Sequence, residues 1–134
     1  MSESHKDKSQ KKEEKKVLVK AEKLFNKAKV LFTEYKYEAA MQQITGLKKL
    51  LKNTKFKPEY AHTMLYAGYI LNTIRKNDEA QIWLEEGIAV LKGTEFEPSR
   101  LTADLQVQLG IAFQKLGKFN EALAEFNKAG TLYQ

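Results

Sequence analysis

The stretch QVQLGIAFQKLGKFNEALAEFNKA, residues 106–129, decides the fold. Its apolar residues recur at three- and four-residue steps, which is the period of a helix with one buried face. Gly117 and Lys118 break the pattern, and a second run follows from Phe119. Two helices joined by a tight turn are therefore expected. Gly110 sits inside the first of them, where glycine costs about 1 kcal/mol relative to alanine. Packing supplies a reason for it: Ala122 is expected to face it from the second helix, and larger side chains at both places would force the pair apart.

The same unit occurs three times. Segments 21–35 (AEKLFNKAKVLFTEY), 61–75 (AHTMLYAGYILNTIR) and 103–117 (ADLQVQLGIAFQKLG) each begin with alanine. Each carries a small residue seven positions on (Ala28, Gly68, Gly110) and a large apolar one three further (Leu31, Leu71, Phe113). A polar turn follows, then a second helix with Ala40, Ala80 or Ala122 and, four residues later, Ile44, Leu84 or Phe126. Pro58 and Pro98 stand forty residues apart ahead of new helical patterns, as suits the first turn of a helix. The repeats are expected at about residues 17–57, 58–97 and 98–134, together forming one domain over 17–134.

Residues 109–129 resemble the tetratricopeptide repeat. Leu109, Gly110, Phe113, Leu116, Gly117, Phe119, Ala122, Phe126 and Ala129 fall on that family's small and large positions. The second copy departs at Ala67, Asn77 and Gly87, and the first carries Lys27 and Ala28 where Leu and Gly are usual. The alanines lie 40 and 42 residues apart (Ala40, Ala80, Ala122) against about 34 in the family, roughly one extra turn per helix. The resemblance implies an all-α fold, a right-handed superhelix of antiparallel helical hairpins, whose first helices line a concave groove. On the family's groove positions stand Phe25, Lys29, Phe32, Leu65, Tyr66, Tyr69, Asn72, Val107, Ile111 and Gln114. Such an apolar and aromatic lining suits a peptide or amphipathic helix of another protein.

The resemblance also speaks against one use of that groove. Family members that grip a C-terminal carboxylate need Lys, Asn and Arg at set places, where this chain has Phe25, Lys29, Tyr66, Asp104 and Gln108. Asp104 would repel the anion, so no carboxylate clamp is expected. The implied function is a non-catalytic adaptor or scaffold, with a chaperone for a secreted or aggregation-prone client as the alternative. The C-terminal end, NKAGTLYQ, brings no helix to cover Leu123, Phe126, Leu132 and Tyr133, which are expected to form an interface with a second copy or a partner.

Charge divides the chain. Residues 1–60 hold 16 Lys/Arg against 8 Asp/Glu, and residues 61–134 hold 7 against 9. The first 16 residues have no apolar side chain beyond Met1 and are expected to be a basic, disordered tail. That tail offers a third function, adhesion to nucleic acid or another acidic surface. Its lysines are interleaved with neither arginine nor aromatic residues, so specific nucleic-acid recognition is not expected.

Chemistry is sparsely represented. There is no cysteine; His5 and His62 stand alone; Glu13/Glu14 and Glu85/Glu86 are adjacent pairs that point apart on a helix. No glycine-rich loop follows a strand. Neither catalysis, a cofactor nor a metal is expected. No apolar run approaches the roughly 20 residues of a membrane span, and the cysteine-free, leaderless sequence fits the cytoplasm.

Overall fold

A computed structural model describes residues His5–Gln134; the first four residues of the basic segment lie outside the described residues. Every described element is a helix: α1 (His5–Thr33), α2 (Tyr37–Leu51), α3 (Lys57–Thr73), α4 (Asn77–Leu91), α5 (Arg100–Lys115) and α6 (Phe119–Tyr133). None is long and apolar enough to cross a membrane. The helices pack as consecutive pairs, α1 with α2, α3 with α4 and α5 with α6. The second helices start at residues 37, 77 and 119, so the 40- and 42-residue spacing of the sequence is a spacing of structure. The chain is a helical, repeat-like protein.

The turn within each pair is built the same way three times. The amide of Lys36 donates to the carbonyl of Leu31, that of Lys76 to Leu71 and that of Lys118 to Phe113, each at 2.8 Å. This bond closes a helix end when the residue before it adopts a left-handed backbone. Tyr35 (φ 64°), Arg75 (φ 65°) and Gly117 (φ 79°) hold that place. Glycine enters it without strain, whereas the two side-chain-bearing residues do so at a cost.

Two compact units make up the chain, one ending at Leu51 and the other spanning Lys52–Gln134. In the first, α1 buries Ala21 and Ala28 while α2 buries Ala40, Ile44, Leu47 and Leu51. Helix α1 begins at His5, inside the segment expected to be a tail. Among the described residues none before Ala21 is buried, and local bonds such as Gln10 to Glu14 and Lys16 to Glu13 run along those turns.

In the second unit α5 packs on both α3 and α4. Gly87 of α4 makes that closeness possible: a Cβ there would lie 2.9 Å from both Leu105 Cδ2 and Met64 Cβ. Met64, Ile70, Leu84, Leu91 and Leu105 are fully buried in this unit. Asn77, a departure from the repeat pattern, is buried and donates through Nδ2 to Asn72 Oδ1 at 2.9 Å. Pro58 lies in the first turn of α3, as expected. Pro98 instead precedes Ser99, whose Oγ caps α5 by accepting from the Thr102 amide at 3.3 Å.

Candidate functional site

Helices α3 and α5 lie side by side, and their shared outer surface holds a cavity of about 270 Å³. Leu65, Tyr66 and Tyr69 line it from α3, Asp104, Val107 and Gln108 from α5, and Tyr133 from the end of α6. The spacing explains the gathering: residues 65, 66 and 69, and residues 104, 107 and 108, are three or four apart and so share a helix face. Four of the expected groove residues, Leu65, Tyr66, Tyr69 and Val107, thus come together.

Polar contacts fix the floor. Asn72 Nδ2 donates to the backbone oxygen of Gln108 at 3.0 Å and to its Oε1 at 3.2 Å, tying α3 to α5. The Tyr133 hydroxyl donates to Asp104 Oδ1. Burial, then this hydrogen bond and the Asp104 charge, push the Tyr133 hydroxyl above its ordinary pKa, with Arg100 acting in the opposite sense. Burial and the neighbouring Tyr69 do the same to Tyr66, whose ring centroid lies 6.3 Å from that of Tyr69. The surface is therefore aromatic and aliphatic with one carboxylate at its edge. Tyr69 is 44% exposed, enough for a partner to reach its ring.

The remaining expected residues are distributed differently. Ile111 is half-buried and Gln114 exposed further along α5. Phe25, Lys29 and Phe32 belong to the first unit, where the Lys29 ammonium stands 4.9 Å from the centroid of the Phe25 ring and Phe32 meets Tyr37 edge-on at 5.3 Å. Of the residues expected at a C-terminal interface, Leu123 is 60% exposed. Phe126 turns inward, its ring against Gly110. Tyr133 joins the α3/α5 cavity, and Leu132 lines a cleft between α4, α5 and α6. Phe119, which the sequence marks as a large position of the repeat, is exposed beside Leu123.

On α1 the lysines do gather: Lys12, Lys15, Lys16, Lys20 and Lys23 surround Val19 on one side of the helix. Among the described residues, no group of three His, Cys, Asp or Glu is placed to hold a metal ion. No protein-family model matches the chain, and no curated protein is similar enough to it to count as a relative.

Proposed function

We propose that the chain is a non-catalytic protein-interaction module of the tetratricopeptide type, holding a segment of a partner protein on its α3/α5 face. The observation that carries this is the α3/α5 cavity, where Leu65, Tyr66, Tyr69 and Val107 form an apolar wall with Asp104 at its edge. Aromatic and aliphatic side chains at a concavity supply most of the energy of such contacts. The thrice-repeated turn and the packing of α5 on both helices of the preceding pair support the reading of tetratricopeptide-like repeats.

The bound segment is extended or helical and apolar, and it places a hydrogen-bond donor rather than a carboxylate beside Asp104. A pull-down from the native source with the intact chain and with Tyr69→Glu/Val107→Glu tests this. Both positions are at least partly solvent-facing, so the double variant should keep its helical circular dichroism and lose specific partners. An unchanged set of bound proteins would overturn the assignment.

A second reading is favoured by the lysines around Val19. They suit an acidic partner surface, and the affinity they provide falls steeply with salt. Binding of an acidic polypeptide that is insensitive to Lys15→Glu/Lys20→Glu would remove it.

A further inference from the structure

On the other side of α5, an open cleft of about 610 Å³ lies between α4, the turn after it, α5 and α6. One of its lining residues is out of character. Gln106 occupies the register place that Leu24 and Met64 hold in the other two pairs, 40 and 42 residues apart. Met64 is sealed within the core, and Gln106 is itself 92% buried, since only 8% of it is exposed. Its Oε1 is fully enclosed and accepts no hydrogen bond from the protein. A buried acceptor left without a donor costs about 1–3 kcal/mol, and an aliphatic residue at the same place would carry no such cost.

The rest of the lining says what would satisfy it. Glu85, Glu97 and Glu125 bring three carboxylates, against the ammonium groups of Lys92 and Lys128. Lys128 is already engaged with Glu125 at 3.2 Å. The Thr102 hydroxyl is likewise spent, donating to the Phe96 carbonyl at 3.1 Å. A carboxylate has about four acceptor sites, so single bonds to Glu97 from Gly93 (2.9 Å) and to Glu85 from Gln81 (3.2 Å) leave capacity over. Acceptors exceed donors, and Ile88, Leu109 and Leu132 give the cleft an apolar wall.

We propose that this cleft binds an alkyl chain ending in a guanidinium or ammonium group. The stem lies on Ile88, Leu109 and Leu132, the cationic head is held among the carboxylates, and the Gln106 side chain turns on binding so that its enclosed Oε1 accepts one N–H. The same chemistry is offered by an arginine or lysine side chain of a partner protein and by a free polyamine.

The test is a nuclear magnetic resonance titration of the full chain with three probes: a capped arginine tripeptide, its citrulline counterpart and spermidine. Saturable shifts of the Thr102, Gln106, Glu125 and Lys128 amides are expected with the cationic probes, and at least tenfold weaker binding with citrulline. Gln106→Met, which installs the residue of the preceding pair, should weaken the cationic probes at least tenfold while keeping or raising the melting temperature. Tighter binding of the tripeptide than of spermidine supports a partner's side chain as the source, and the reverse supports a free amine. Equal affinity for arginine and citrulline overturns the proposal. So does undiminished binding by Gln106→Met, or no saturable shift at millimolar probe. Should Gln106→Met fail to fold, Glu85→Gln on the exposed side of α4 decides the matter, since binding that ignores that carboxylate is not the binding proposed.

Discussion

A Cβ built on Gly110 would lie 2.5 Å from Phe126 Cε1 and within 2.9 Å of two further atoms of that ring. The α5/α6 pair closes on an aromatic ring seated against bare backbone. One repeat earlier a Cβ on Gly68 would overlap the branched end of Leu84, which stands where Phe126 stands in the next pair. Alanine gains about 1 kcal/mol over glycine in helix propensity, whereas overpacking costs about 1–3. Which term wins depends on how far the neighbour can move. Leu84 is fully sealed and Phe126 only half-buried. Gly68→Ala should therefore destabilise by about 1–2 kcal/mol and Gly110→Ala by less than about 1, while Gly110→Leu should cost about 1–3. Urea midpoints measure all three, and Gly110→Ala proving worse than Gly68→Ala would sink this explanation.

The left-handed turn residues give a second expectation. Arg75 holds φ 65° with a side chain, a placement costing about 1–2 kcal/mol. Glycine relieves that strain but returns roughly 0.5–1 kcal/mol through its freer unfolded chain. Arg75→Gly should therefore stabilise by up to about 1 kcal/mol, and Gly117→Arg should destabilise by a similar amount. Arg75 is the cleaner probe, because Tyr35 also stacks edge-on near Tyr37 at 6.3 Å. A loss of stability in Arg75→Gly would show that its side chain, not its backbone, matters there.

The helices, their pairing in twos and the 40/42 spacing were legible because apolar period and turn residues are local signals. Three features were not. Gly110 was matched to Ala122 as small against small, but the atoms nearest a Cβ at Gly110 belong to the Phe126 ring, one turn further along α6. Tyr133 was placed on an uncovered end and is 48% exposed, but its bond to Asp104 and its place beside the α3/α5 cavity carry no sequence signal. Gln106 carries no local signal of burial, and only its alignment with Leu24 and Met64 marks it as a core position. The site residues on α3 and α5 that were found came from the family's groove positions, which reflect helix faces and not any reactive motif.

A third prediction concerns the bonds between α3 and α5. Asn72 donates to Gln108 and accepts from the buried Asn77, so it links three helices through one amide. Asn72→Ala strands the Asn77 amide and should cost about 1–3 kcal/mol. In the Asn72→Ala background, Asn77→Ala should cost less than it does alone, because the partners share one network. Additive losses in that double-mutant cycle would mean the two asparagines act independently.

Alkali should reveal the tyrosines. The hydroxyls of Tyr60, Tyr66 and Tyr133 are all raised above the ordinary value of 10.0, in each case first by burial, and for Tyr60 and Tyr133 next by donation to Glu86 and Asp104. As pH climbs past about 10 the unfolded chain releases these protons while the folded chain keeps them, so stability must fall there and is unaffected below. Tyr60 is the best reporter, being buried with its hydroxyl on Glu86. At neutral pH, Tyr60→Phe should be less stable than the parent by about 1 kcal/mol for the lost hydrogen bond. Between about pH 9 and 11 the parent should decline more steeply, so the gap between the two narrows. Denaturant midpoints across that range measure it, and parallel curves would mean that the Tyr60 hydroxyl titrates alike in the folded and unfolded chains.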